Sequence, residues 1–338
     1  MRVYELHSDQ PNALVLTDRP DPTPQVGQVL VKMHAASLNY RDLLVAKSAY
    51  GKQQTKSIVP LSDGAGEVVA VGAEVSGVRV GDRVAGIFMQ SFRSGKFTAA
   101  KASSALGGGE VDGVLAEYVV FDEQGLVKIP DHLSYEEAAT LPCAAVTAWN
   151  ALVVEGQLTA GETVLLLGTG GVSVFALQFA KLLGAKVIIT SSSDEKLDRA
   201  RQLGADACIN YKQTPDWEEK VWALTEGQGV DLVVEVGGAD TLSRSLRAVR
   251  YGGTVALIGV LTGLDGDVKT GLILHKHVRV QGIYVGSHDM FEAMNQAIAL
   301  HHLHPVVDRV FDFADAQAAF AYLNSAQHFG KVVIRIAT

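Results

Sequence analysis

The segment S-L-N-Y-R-D-L-L-V-A-K-S-A-Y-G, residues 37–51, gathers Asn39, Tyr40, Arg41, Asp42 and Tyr50 in otherwise apolar surroundings. These residue types suit a reaction that places negative charge on an oxygen. A phenol has a reference pKa of about 10, so Tyr50 is protonated at neutral pH and can donate without tuning. An amide at 39 can orient a bound group, and a guanidinium at 41 can attract an anionic or carbonyl oxygen. Asp42 is suited to fix the segment by accepting backbone N–H groups. The same composition also fits a plain loop with turn polars, and Tyr40 reads as packing.

A second segment carries cofactor chemistry. In T-V-L-L-L-G-T-G-G-V-S-V-F-A-L-Q-F-A-K-L-L-G-A-K-V-I-I (163–189) a β-rich run ends at Gly168, and Gly170, Gly171 and Val172 lead into a helical period. Small residues there let a backbone approach a pyrophosphate whose charge sits on helix N-terminal N–H groups. Ser173 stands where a third glycine is usual. At the end of the following strand, where an acid would hold the ribose 2′-hydroxyl of NAD, the chain reads T-S-S-S-D-E-K (190–196). Ser191, Ser192 and Lys196 can hydrogen-bond and charge-compensate a 2′-phosphate, so NADP is the expected cofactor. NAD stays possible through Asp194, and the serines also suit a helix cap. Tyr211 ends the next strand and can pack on the adenine or at the core edge.

Elements must position these groups. Up to about residue 144, alternating runs at 29–38, 66–75 and 111–121 predict short antiparallel strands in a barrel-like domain. Beyond it, apolar runs at 163–168, 186–191, 232–237 and 254–260 are separated by helical periods at 175–184 and 195–204. That rhythm predicts an α/β fold with a parallel sheet covered on both faces. The run 330–336 reads as a strand that rejoins the first domain. The expected division is 1–144 with 286–338, and 145–285.

Composition excludes several classes. The 338 residues include 48% hydrophobic and 20% charged ones, enough to bury a full core. The net charge of −8 has no basic block, which argues against nucleic acid or an anionic membrane and for a small-molecule partner. The first ten residues lack a signal-peptide pattern and no apolar run approaches the ~18 residues that span a bilayer, so a cytoplasmic location is expected. Cys143 and Cys208 are the only cysteines, too few for a disulfide framework or a cysteine-rich zinc site.

The frame P-L-S-D-G-A-G-E-V-V-A-V-G (60–72), V-G-D-R-V (80–84), G-V-L-A-E-Y (113–118), L-P-C-A-A-V-T-A-W (141–149), the cofactor turn, L-G-A-D (203–206) and F-G-K-V-V (329–333) resembles the medium-chain dehydrogenase/reductases over almost the whole chain. The resemblance implies a GroES-like β-barrel catalytic domain, an inserted Rossmann domain and a substrate cleft between them. Within the family the chain is more similar to zinc-independent quinone oxidoreductases and enoyl reductases than to zinc alcohol dehydrogenases. Zinc members carry Cys, His, and Cys or Asp where this chain has Asn39, Ser62 and Cys143. One thiolate cannot replace the three protein ligands of a catalytic zinc, so no metal is expected. The lobe that holds four cysteines in zinc members corresponds to 91–110, which has none. His301, His302 and His304 read as a helix end or turn, and His275 and His277 as cofactor neighbours or interface.

The zinc-independent reductases have an Asn at the start of the 37–51 segment, an Asp three residues on and a Tyr eleven residues on. Asn39, Asp42 and Tyr50 match all three. By this resemblance Tyr50 is the proton donor and Asn39 orients substrate or nicotinamide; Arg41, by its charge, is expected to attract an anionic or carbonyl oxygen. Carried over in the same way, Thr147, Gly237, Gly238, Gly259 and Val260 lie near the nicotinamide, and Lys331 near the cofactor phosphates or the cleft. The stretch 278–286 resembles the edge strand through which such proteins form homodimers. The expected activity is NADPH-dependent, zinc-free hydride transfer to a quinone or enone. An alcohol/ketone dehydrogenase of the same fold is the alternative, and a catalytically silent nucleotide-binding sensor is the alternative of another class.

Overall fold

The structure, a computed structural model, describes residues 1–7, 14–49, 57–263 and 265–337. Contacts divide the chain into two units, Met1–Val146 with Gly286–Thr338, and Thr147–Val285. No helix among the described residues is long and apolar enough to cross a membrane.

The first unit opens with an antiparallel pair, β1 (Arg2–Leu6) and β2 (Leu14–Asp18). Its main sheet is built around β3 (Gln28–Leu38), where Val29, Val31, Met33 and Ala35 turn inward at the period of two that a pleated strand imposes. Antiparallel to β3 run β4 (Asp63–Val71) and, along its first half, β6 (Tyr118–Asp122); β5 (Arg83–Gly86) and β7 (Leu126–Lys128) extend the sheet beyond β4. Two expected strands shift. The 66–75 run forms its strand over Asp63–Val71, which brings Asp63 into the sheet. The 111–121 run is strand only from Tyr118. Upstream, Gly113 packs so closely on 60–61 that an added Cβ would sit 2.0 Å from the Leu61 carbonyl oxygen, and this contact takes the place of sheet pairing.

The second unit is a six-stranded, wholly parallel sheet. Its strands are β8 (Thr163–Leu166), β9 (Lys186–Ser191), β10 (Ala207–Asn210), β11 (Val230–Glu235), β12 (Val249–Leu257) and β13 (Arg279–Gly282), in the order β10-β9-β8-β11-β12-β13. This is the doubly wound dinucleotide-binding order, whose reversal lies between β8 and β11. Val164, Leu165, Ile189, Val233 and Val255 are fully or nearly fully buried, as central strands covered on both faces require. Burying each such side chain contributes about 1.5–3 kcal/mol. Of the 278–286 stretch, only Arg279–Gly282 is strand. It forms the sheet edge, and Val285 leaves it with a positive φ of 56°.

The chain then returns to the first unit through the helix His288–Leu300, β14 (Val307–Asp312), the helix Ala316–Asn324 and β15 (Lys331–Arg335). β14 and β15 are parallel, an exception to the antiparallel rule expected for this unit, because the Ala316–Asn324 helix makes the crossover between them. β15 lies antiparallel to the end of β3, with Val332 opposite Leu38. That register carries Lys331 to the end of β3, beside Asn39.

Candidate active site

β3 ends at Leu38, and Asn39 is extended (φ −127°, ψ 157°) as the cap of the short helix Tyr40–Ala46. Asp42 Oδ2 accepts the Asn39 backbone N–H at 2.7 Å, the fixing role expected of it. Asp42 is fully buried, and burial raises its carboxyl to about 6 against the pull of Arg41 and the Asn39 N–H.

Around Asn39 a buried polar cluster assembles from four parts of the chain. Lys331, 3% exposed, donates to Leu38 O and to Asn39 Oδ1, both at 2.6 Å, and lies 4.0 Å from Asp63 Oδ2. Asp63 Oδ1 accepts the Ser62 hydroxyl at 2.7 Å, and its Oδ2 accepts the Cys143 N–H at 3.2 Å. Burial raises the Asp63 carboxyl, with Lys331 the strongest opposing influence. The Cys143 thiol is pushed up by burial and then by the charge of Asp63, so it stays protonated at neutral pH. Cys143 belongs to a π-helical turn, Leu141–Ala145, that runs into the helix Val146–Trp149 carrying Thr147, itself 3% exposed.

Two residues with expected roles are engaged by the protein itself. Arg41 is 8% exposed, its Nη1 donates to Leu106 O at 2.8 Å and lies 3.5 Å from Asp42 Oδ1, and its guanidinium stacks over Phe88 at 5.0 Å. That bond ties the helix to Leu106. Lys331, expected near the cofactor phosphates or the cleft, has its ammonium on Leu38 O and Asn39 Oδ1. Tyr50 lies outside the described residues. Asp63 is the site residue that sequence reading passed over; its signal was an acid directly after Ser62 at the head of a Gly-rich strand.

In the second unit, Gly168 takes a φ of +71°, and Gly170 caps the helix Gly171–Leu182 with no side chain accepting from its first turn. A Cβ added at Gly168 or Gly170 would meet nothing within 4 Å. Gly171 and Val172 open that helix. The result is an open cradle of N–H groups at the sheet's switch point, which fits a dinucleotide pyrophosphate. Ser173 replaces a glycine because it is 1% exposed and its hydroxyl donates to Leu167 O at 2.7 Å.

At the end of β9, Ser191 is 3% exposed and accepts the Ser193 N–H, while Ser193 caps the helix Asp194–Gln202. Ser192 and Lys196 are half-buried. Asp194, the alternative ribose ligand, accepts Asn210 Nδ2 and Gln213 Nε2, each at 2.8 Å, one on each oxygen. Tyr211 follows β10 and is 41% exposed. At the ends of β11 and β12 the glycines answer to the protein first. A Cβ on Gly237 would sit 2.1 Å from Thr241 Oγ1, and one on Gly259 1.7 Å from Val236 O. Val260 is half-buried beside them. Glu235, buried at the end of β11, accepts Gly237 N, Gly238 N and Thr241 Oγ1 at 2.8, 3.1 and 2.6 Å, and also the Ser245 hydroxyl. It was not singled out from sequence; an acid inside V-D-L-V-V-E was its signal.

Among the described residues, one group of metal-ligating side chains converges, His288, Asp289 and Glu292, with both carboxylates exposed. His301 ends the helix His288–Leu300, and His304 pairs with Glu137 at 2.7 Å. His277 caps the helix Thr270–Lys276 with a φ of 55°.

Comparison with known proteins identifies two family models. Residues 25–131 match the alcohol dehydrogenase GroES-like domain, and residues 171–300 match the zinc-binding dehydrogenase domain. A zinc-type alcohol dehydrogenase-like protein of Schizosaccharomyces pombe is 46% identical over 92% of this chain and 91% of its own. Quinone oxidoreductase-like protein 2 of Bos taurus is 29% identical over 92% and 86%. Among solved structures, an NAD-dependent alcohol dehydrogenase superposes with a TM-score of 0.90 at 33% identity, covering all of both chains. A mycobacterial protein complexed with NADPH gives 0.83 at 26% identity over 99% and 100%.

Proposed function

On the premise that the chain belongs to the medium-chain dehydrogenase/reductase superfamily and is an oxidoreductase, we propose that it transfers hydride from NADPH to a conjugated carbonyl, a quinone or an enone, without a metal ion. The observation that carries this reading is the composition of the cluster at Asn39, Ser62, Asp63 and Cys143. An amide, a hydroxyl and a protonated thiol stand where a zinc site needs three good ligands, and the ammonium of Lys331 is already in place. A divalent ion brought to these side chains would meet that positive charge. The family model named for zinc covers 171–300 and so includes none of these positions.

NADPH, when bound, would supply the hydride. The chain's own residues would bind it through the Gly168–Val172 cradle, with Ser191, Ser192 and Lys196 available to a 2′-phosphate. The engagement of both Asp194 oxygens by Asn210 and Gln213 supports NADP over NAD. As hydride adds to the substrate, electrons move onto its oxygen; Asn39 N–H groups stabilise that charge and the Tyr50 phenol neutralises it by proton transfer. Arg41 and Asp42 hold the segment that carries them.

A second reading, an NAD(P)-dependent alcohol/ketone dehydrogenase, is favoured by the names of the Schizosaccharomyces pombe relative and of the solved alcohol dehydrogenase. A nucleotide-binding sensor without turnover is the third. A homodimer through β13 is part of the proposal, supported by its place at the sheet edge and by the 40% exposure of Tyr284 beside it. The deciding experiment follows NADPH oxidation with 1,4-benzoquinone and with a simple ketone, each with and without chelator, on protein assayed for bound zinc. Quinone turnover insensitive to chelation is expected. Turnover limited to alcohols and ketones and abolished by chelation establishes the second reading, and none with any acceptor the third.

A further inference from the structure

We propose that Lys331 is a positioning residue that acts on substrate through Asn39, delivering by a buried ammonium and a polarised amide the positive field that zinc members of the superfamily draw from a metal. The inference rests on the reductase reading above.

Lys331 stands at the start of β15, and the β15–β3 register fixes its side chain beside the end of β3. Its ammonium is held by Leu38 O and Asn39 Oδ1, each at 2.6 Å, with the Asp63 carboxylate at 4.0 Å as counter-charge. Burying an ammonium is costly, and these partners are what makes it tolerable. One consequence concerns the amide. With Oδ1 taken by a cation, the orientation of the Asn39 side chain is settled, and Nδ2 is the end left to donate.

That nitrogen is buried and has no hydrogen-bond acceptor, on a residue that is itself 9% exposed. The Asn39 amide is among the groups that hold the Asp63 carboxyl down, but Nδ2 stays outside hydrogen-bond geometry with it, and Asp63 accepts instead from the Ser62 hydroxyl and the Cys143 N–H. An unsatisfied buried donor is a cost that an arriving acceptor removes. The acceptor that fits is the oxygen of the carbonyl under reduction. As hydride adds to the conjugated carbon, the π electrons pass to that oxygen, and a proton taken up from solvent completes the balance. A cation on Oδ1 draws density through the amide and strengthens its N–H groups as donors, most where the negative charge is greatest.

The test is a double-mutant cycle of Lys331→Met and Asn39→Ala in the full-length protein, with NADPH and 1,4-benzoquinone. Expected are a fall in kcat of about 10²-fold for each single variant, little further loss in the double variant, and NADPH Kd by fluorescence titration within about twofold of the unsubstituted protein. Lys331→Arg, which keeps the charge, should recover much of the rate. Should Lys331→Met not fold, Lys331→Gln serves in the cycle, keeping a donor for Leu38 O without the charge. Multiplicative losses in the double variant overturn the inference, as does a loss confined to NADPH binding, which would place Lys331 at the cofactor. An unsubstituted protein that fails to reduce the quinone removes the reductase reading itself, a result distinct from either.

Discussion

Asp42 and Asn39 are bonded in both directions: the Asp42 carboxylate accepts the Asn39 N–H at 2.7 Å, and the Asp42 N–H reaches Asn39 O at 2.9 Å. This closed turn fixes the backbone from which the Asn39 amide projects. Its carboxyl titrates at about 6 when folded, against 3.8 as the ordinary value. The folded state therefore holds the proton more tightly, and the contribution to stability is greatest below pH 4 and is lost as pH rises through 6. A shift of about two units corresponds to about 3 kcal/mol. Asp42→Asn should flatten this dependence, so thermal melts of the two proteins between pH 4 and 7 should converge at the acid end and separate toward neutrality. Parallel melting curves across the range would speak against a buried charge at this position.

Tyr50→Phe removes the proposed proton donor and leaves the ring. Loss of a positioned general acid costs typically 10²–10⁴-fold, so kcat for quinone reduction should fall by at least 10²-fold with NADPH affinity unchanged. Steady-state kinetics and fluorescence titration report the two quantities separately, and an unaltered kcat assigns the proton to another group.

Gly170→Asp adds a carboxylate to the cradle at the start of the helix Gly171–Leu182. Because a Cβ there meets nothing within 4 Å and the backbone φ is −79°, the cofactor-free protein should melt within a degree or two of the original. The charge would oppose a pyrophosphate on the same N–H groups, so NADPH Kd should rise more than tenfold. Unchanged affinity would move the nucleotide elsewhere.

Lys196→Ala separates the two cofactors. NADPH affinity should drop roughly tenfold, as expected for losing one charged contact of about 1.5 kcal/mol, while NADH affinity stays level. Equal effects on both would leave Lys196 without a role at the 2′-position.

Glu235→Ala strips acceptors from Gly237 N, Gly238 N, Thr241 and Ser245 together. With several buried donors left unsatisfied, a loss of about 4 kcal/mol is expected from denaturant unfolding, and no more than about 1 kcal/mol would mean that water replaces the carboxylate.

Much of this was legible in the residues. Apolar runs without alternation announced the parallel sheet, and T-V-L-L-L-G-T-G-G marked the cradle because glycines with open space around them have a backbone reason to be there. Asn39 and Asp42 were legible for the same kind of reason, since their spacing on a short helix start dictates a local bond. Asp63 was not, and Lys331 was marked only by resemblance, without its partner Asn39. Their meaning depends on β4, β15 and β3 lying side by side, and no local pattern encodes a contact between residues 292 apart. Gly237 and Gly259 read as cofactor neighbours, yet their lack of a side chain is demanded by Thr241 and Val236, a crowding visible only once β11 and β12 are adjacent.

The pairing of β15 with β3 also sets a timetable for synthesis. At about 5–20 residues per second, the ribosome finishes Lys331 roughly 15–60 s after Asn39. Through that interval the amide lacks its cation, and before it ends every strand of the β8–β13 sheet has been made. The nascent protein can thus complete its parallel sheet before the buried cluster at Asn39 is electrically complete.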